Sequence, residues 1–186
     1  MLLETQGTVE EALIMFRQCL ESRTKSLGKE HFETLASRAA VAGCLLKMNQ
    51  TEQGCEEYQK VVTGYINSSG PSSPLTIKAM ADLGYCLMAA GKMNDALEMY
   101  KKVTALRLAK YGSSHPMVLK SFFDTGILLV QLGQENEAIK MLKAAESGYS
   151  QVQGMEEHVA KCQGLIEYIK EQSTGEGEEE VKDANE

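Results

Sequence analysis

No stretch of this sequence is apolar for anything near the ~20 residues that a bilayer-spanning helix requires, and no signal peptide opens it. Basic residues are not in excess. Nineteen lysines and arginines face twenty-six aspartates and glutamates, a formal charge of −7, so the electrostatic footprint of a nucleic-acid binder is missing. Catalytic signatures are missing too: there is no serine–histidine–acid spacing, no glycine-rich phosphate loop and no HExxH. An enzymatic reading has no residue to rest on, and no cofactor is expected. Tryptophan is absent and prolines number three, yet a hydrophobic share of 43% is ample for a buried core. The five cysteines, an odd count without a framework spacing, point to a reducing, cytoplasmic compartment. His158 and Cys162 lie four apart beside Glu156 and Glu157, but a metal needs about four ligands and no second cluster exists. A surface helix without metal is expected there.

What the chain does have is repetition. Gly28, Gly70, Gly112 and Gly154 stand 42 residues apart. A second ladder runs Gly7, Asn49, Gly91, Gly133, and two columns of small residues run Ala42, Gly84, Gly126 and Ala12, Gly54, Ala96, Ala138. Large residues fill Phe16, Tyr58, Tyr100 and Leu142, and apolar ones Leu45, Leu87 and Leu129. His31 and His115 share a column with Ser73 between them, and Pro74 and Pro116 share another. Columns agreeing in register mean one structural unit copied along the chain, each copy burying its apolar face against its neighbours. Cys44 and Cys86 occupy one column, while Cys19 and Cys55 fall in columns otherwise held by Val61 and Val103 or by Leu13, Leu97 and Ile139. All four are expected to be small core residues.

Each copy parses into two helices, A and B. Leu35, Ala39, Val41, Ala42 and Leu45 recur at helical spacing through 34–48. Asn49, whose column mates are glycines, makes the left-handed turn, and helix B follows over about 51–67. The next copies give helices near 75–90 and 93–111, with Asn94 as a candidate cap, then 117–132 and 135–150. Proline early in a helix, as at Pro74, costs little because its N–H is not needed there. The small columns of helices A and B are expected to face each other and let the helix axes approach closely. The expected organisation is a half repeat at 1–26 with helix B only, repeats at 27–69, 70–111 and 112–153, a C-terminal capping helix at 154–172 and a disordered acidic tail at 173–186. The tail carries Glu176, Glu178, Glu179, Glu180, Asp183 and Glu186 against Lys182. The first helix B lacks its helix A, which suits a fragment of a longer array or a face covered by a partner, including a second copy through self-association.

These columns resemble the tetratricopeptide repeat. Leu83-Gly84 in helix A, Ala96 and Ala138 in helix B and the aromatic Tyr100 are its signature elements. The 42-residue period and the linkers Leu27-Gly28-Lys29-Glu30-His31 and Tyr111-Gly112-Ser113-Ser114-His115-Pro116 are similar to the kinesin light chain and nephrocystin type of repeat. The resemblance implies an all-α fold, a right-handed α-solenoid of stacked antiparallel helix pairs, serving as a non-catalytic scaffold that binds a protein or peptide partner on its concave helix A surface. The paired asparagines of kinesin light chain repeats are replaced by Ala39-Ala40, Ala81-Asp82 and Phe123-Asp124, and the heptads that join light to heavy chain are absent. A carboxylate clamp is excluded by Ala39 and Gly43, Ala81 and Tyr85, Phe123 and Ile127 at its positions.

Helical offsets from the small column put Lys78, Asp82, Tyr85 and Met88 on the inner face of one copy. The next copy places Lys120, Asp124, Ile127 and Gln131 there, with Phe123 adjacent. Lys78 and Lys120 each precede an aspartate by four, a surface ion-pair spacing, so the face reads either as solvated pairs or as a mixed-charge groove with Tyr85 and Ile127 as apolar anchors. The helix A of the preceding copy offers only Ala36, Ala39, Ala40 and Gly43, a surface able to admit a bulky group of a ligand. A second reading makes the chain a helical regulatory segment of a larger enzyme or signalling protein.

Overall fold

A computed structural model describes the backbone of residues 2–183 and the side chains of residues 7–172. The described residues form eight α-helices and no strand: α1 (Leu2–Leu27), α2 (Phe32–Lys47), α3 (Thr51–Ser69), α4 (Pro74–Ala89), α5 (Met93–Tyr111), α6 (Pro116–Gln131), α7 (Glu135–Tyr149) and α8 (Glu156–Asp183). The chain divides into two compact units, Met1–Leu106 and Arg107–Glu186. In the first, α1 lies on α2, α2 on α3 and α3 on α4; in the second, α6 lies on α7 and α7 on α8. Helices joined by such short turns must fold back on one another, so each A–B pair is antiparallel.

The turns follow the glycine ladders. Asn49 adopts φ 60°, Gly91 74° and Gly133 68°, the left-handed conformation that ends helix A and reverses the chain. Asn49 is the one non-glycine residue with positive φ among those described, and asparagine tolerates it better than other side-chain-bearing residues. The other glycine ladder also takes positive φ, at Gly28, Gly70 and Gly112 just past the ends of helix B and at Gly154 in the loop before α8. At the start of α2 the Nδ1 of His31 accepts the Glu33 N–H at 3.3 Å, and at the start of α6 that of His115 accepts the Met117 N–H at 3.2 Å. Both imidazoles therefore cap their helices. Ser73, between them in the column, has the same extended backbone without a side-chain cap bond, and Pro74 follows in the first turn of α4.

The core of the first unit gathers Leu35, Ala42, Tyr58, Val61, Ile77, Leu83, Cys86 and Val103, all buried; that of the second includes Leu119, Ala145, Tyr149 and Cys162. The small columns permit close approach, with partners that differ from a small-on-small seam. A Cβ on Gly54 would meet the Ala42 carbonyl at 3.3 Å, as expected, but one on Gly84 would meet Met99 and Tyr100, and one on Gly126 would lie 2.9 Å from Leu142. The glycines of helix A mainly make room for the large column of helix B.

Several sequence expectations need correction. Gly7 does not turn as its column mates do: α1 runs through it. Cys19 is exposed, not core, since it stands on a face of α1 over which no described helix lies. Asn94 falls inside the first turn of α5 rather than capping it. Cys162 is fully buried instead of lying on a surface helix, because α8 turns Cys162, Ile166 and Ile169 inward. The helix also continues through Asp183, past the expected end at 172, along a run of glutamates that are good helix formers. The remainder of the acidic tail, 184–186, lies outside the described residues.

Candidate functional site

On α2, residues 36, 39, 40, 43 and 47 fall on one stripe of the helix, opposite the stripe that buries Leu35, Ala42 and Leu45. In the first unit this stripe floors a groove of about 500 Å³. Ala36, Ala39, Ala40 and Gly43 make the floor, Ala79 and Leu75 of α4 the far side, and Phe16, Tyr58 and Tyr65 the aromatic walls. Small side chains on adjacent helices leave the volume, and the aromatics of the second helices reach it from behind. Lys47 stands at one end and Lys78 with Asp82 at the other. The Lys78 ammonium donates to Asp82 at 2.7 Å, whereas no described acid pairs with Lys47. Burial, with the Asp82 charge second, pushes the Tyr58 phenol up to about 12. Tyr58 is therefore a neutral hydrogen-bonding group over the whole physiological range.

The second unit has its own recess, of about 290 Å³, lined by Pro116, Lys120, Phe123 and Asp124 of α6 together with Tyr149, Met155, His158 and Lys161. Lys120 donates to both carboxylate oxygens of Asp124, at 2.8 and 2.9 Å. His158 packs obliquely on the Tyr149 ring, 5.0 Å between centroids, and burial raises the Tyr149 phenol, with Cys162 and Asp124 adding to it. Cys162, at the back of this region, is pushed up to about 11 by burial and then by Glu146; it is a neutral, packed thiol.

Of the candidate residues, Lys78 and Asp82 line the first groove, and Lys120, Phe123 and Asp124 line the second recess. Tyr85 is 54% exposed a turn further along α4, and Met88 is half-buried. Neither lines the groove. Ile127 is half-buried and Gln131 exposed, both beyond the recess. Sequence reasoning placed the alanine floor but missed the walls, Phe16, Tyr58 and Tyr65, because these belong to second helices and read as core. A usable signal was there: Phe16, Tyr58 and Tyr65 sit on second helices beside a first helix that offers only alanines and glycine.

The repeat architecture has known counterparts. The tetratricopeptide repeat profile matches residues 38–109 and 80–151, and a second tetratricopeptide repeat profile matches residues 1–33. The chain belongs to the tetratricopeptide repeat family. Comparison with curated protein sequences finds no match. Among solved structures, the chain is similar to the nearly identical TPR-like repeats of a Podosopora anserina protein described as a kinesin light chain. The two share 21% identity over 91% of this chain and 87% of that one, with a TM-score of 0.76. BtubC (BKLC) from P. vanneervenii is similar at 13% identity, covering 92% of this chain and 77% of that one with a TM-score of 0.73. A T3SS complex from Aeromonas hydrophila follows at 15%, 84% and 98%, with a TM-score of 0.61. The fold is thus an all-α solenoid of repeated helix pairs of the kinesin light chain type, an architecture that generally serves protein interaction. Among the described residues no helix is long and apolar enough to cross a membrane.

Proposed function

We propose that the protein is a non-catalytic interaction scaffold of the cytoplasm that holds a partner protein or peptide against the exposed faces of its first helices. The observation that carries this reading is the alanine-floored groove of the first unit. It is wide, apolar at its base and aromatic at its walls, with lysines at both ends. That chemistry suits an extended or helical peptide that lowers one bulky apolar side chain onto Ala36, Ala39, Ala40 and Gly43 while polar groups along the peptide meet Lys47, Lys78 and Asp82. The recess at Lys120, Phe123 and Asp124 offers the second unit's own, more polar seat, with Ile127 and Gln131 as outlying contacts for a longer ligand, as Tyr85 and Met88 are for the groove of the first unit.

The test is a displayed peptide library selected on the intact chain and then rescreened on Ala40→Arg, which fills the groove from an already half-buried position. Selected peptides should share a large apolar residue and weaken at least about tenfold on the variant, roughly 1.4 kcal/mol, while its melting curve stays within about 1 °C of wild type. Peptides that bind both proteins equally would place the interaction surface elsewhere.

A further inference from the structure

The thiols of Cys55 in α3 and Cys86 in α4 face each other with 2.9 Å between their sulfurs. A disulfide needs ~2.0 Å, so bonding them asks for a closure of less than ~1 Å. The contact is built into the seam between the helices. Gly54 carries no side chain where a Cβ would come within 3.3 Å of the Cys86 sulfur, which lets that sulfur lie against α3. Both thiols are buried, Cys86 completely and Cys55 to 7% exposure, and they differ in what lies beside them. Cys55 forms part of the lining of a groove of about 420 Å³, open to the surface, with Glu56, Gln59 and Lys60 of α3 on one side and Leu83 and Leu87 of α4 on the other.

We propose that Cys55 and Cys86 are a peroxide-responsive pair that closes to a reversible disulfide and staples α3 to α4. A hydroperoxide entering the groove is attacked by the Cys55 sulfur. The S–O bond forms as the O–O bond breaks, an alcohol or water departs with the thiol proton, and Cys55 becomes a sulfenic acid. The Cys86 sulfur then attacks the Cys55 sulfur from the core side; the S–S bond forms, the S–O bond breaks and hydroxide leaves with the Cys86 proton as water. Two thiols thereby give up two protons and two electrons, and the hydroperoxide is reduced to an alcohol and water. Access sets the order: Cys55 lines the groove and Cys86 does not, so Cys55 meets the hydroperoxide first. A small dithiol reverses the bond by exchange.

The chemistry is confined to this seam. Cys44 shares the Cys86 column one copy earlier, but the residue matching Cys55 there is Leu13, and one copy later the matching residues are Leu97 and Leu128. Because α3 ends one hairpin and α4 begins the next, the bond ties consecutive hairpins of the first unit.

The test uses the reduced full chain treated with hydrogen peroxide under native conditions, alkylated and analysed by intact mass and tryptic digestion. The expected product has lost two hydrogens, yields a Cys55–Cys86 linked peptide, returns to the reduced mass with dithiothreitol and melts at a higher temperature than the reduced chain. In Cys86→Ala, Cys55 should instead accumulate as a dimedone-reactive sulfenic acid. The proposal is overturned if wild-type Cys55 stays alkylatable while exposed Cys19 is fully oxidised, if it stops at the dimedone-reactive stage, or if the linked peptide contains another cysteine. The wild-type measurement needs no variant, so a misfolded Cys86→Ala leaves the outcome decided.

Discussion

The hairpin α2–α3 and the hairpin α6–α7 stand 84 residues apart in sequence, and placed side by side they agree inside and disagree outside. Both begin with a capping histidine. Each receives, in its first helix, the same bond from the preceding helix: Arg23 donates to the Ser37 hydroxyl at 2.7 Å, and Arg107 to the Ser121 hydroxyl at 2.7 Å. Both seat a leucine of the first helix on a glycine of the second, Leu35 on Gly64 and Leu119 on Gly148. Outward, Ala36, Ala39, Ala40 and Gly43 in one correspond to Lys120, Phe123, Asp124 and Ile127 in the other. The skeleton columns are held while the exposed columns vary, so folding and recognition are carried by different residues of the same helices.

The largest way to break the agreement is to empty the shared leucine seat. Leu119→Ala should cost about 2–5 kcal/mol of stability by denaturant titration, since the side chain is fully buried. Gly148→Ala should cost about 1–3 kcal/mol by crowding that leucine. The double variant should lose less than the sum, because the new methyl partly fills the vacated space; strict additivity would dissociate the two positions. The same cycle at Leu35 and Gly64 should give the same sign of coupling.

A smaller effect sharpens a difference. Arg38 and Glu57 join α2 to α3 at 2.6 Å, where the later hairpin carries Phe122 and Met141. Burial raises the Glu57 carboxyl, but hydrogen bonds from Lys60 and Arg38 outweigh it and hold it below its ordinary 4.5. A depressed folded value contributes stability above the unfolded value and loses it as pH falls through the folded one. Glu57→Gln should therefore destabilise by roughly 1 kcal/mol at pH 7, with the gap to wild type closing below pH 4.5. A gap that persists in acid would assign the loss to packing. Smallest of all, Lys78→Ala and Lys120→Ala should each cost only about 0.2–0.5 kcal/mol, shrinking with added salt; a larger loss would mean these pairs anchor the fold as well as its surface.

The fold was legible because its signals are periodic and local. A left-handed turn demands glycine or asparagine, a close helix crossing demands a small residue, and both recur at a fixed interval that composition alone does not produce. The histidine column was legible for the same reason, and the structure gives it the work of capping. What escaped depended on neighbours that spacing does not specify. Cys19 shares a column with valines that are buried, yet its exposure is decided by what lies over α1. Cys162 was judged by its charged sequence neighbours, whereas α8 turns it inward with Ile166 and Ile169. The groove walls were hidden because Tyr58 and Tyr65 do double duty, one edge in the core and the other against the opening. A single column label cannot state both.

The arginine–serine bond sets a rule for editing this chain. The copy between its two occurrences carries Tyr65 in the arginine column and Ala79 in the serine column, so neighbouring units are not interchangeable. Excising residues 28–69 would bring Arg23 opposite Ala79, a methyl that can accept nothing from a guanidinium half sheltered from water. Excising 28–111 would bring Arg23 opposite Ser121 and restore the match. Shortened or lengthened versions should tolerate changes in multiples of two hairpins and resist odd ones.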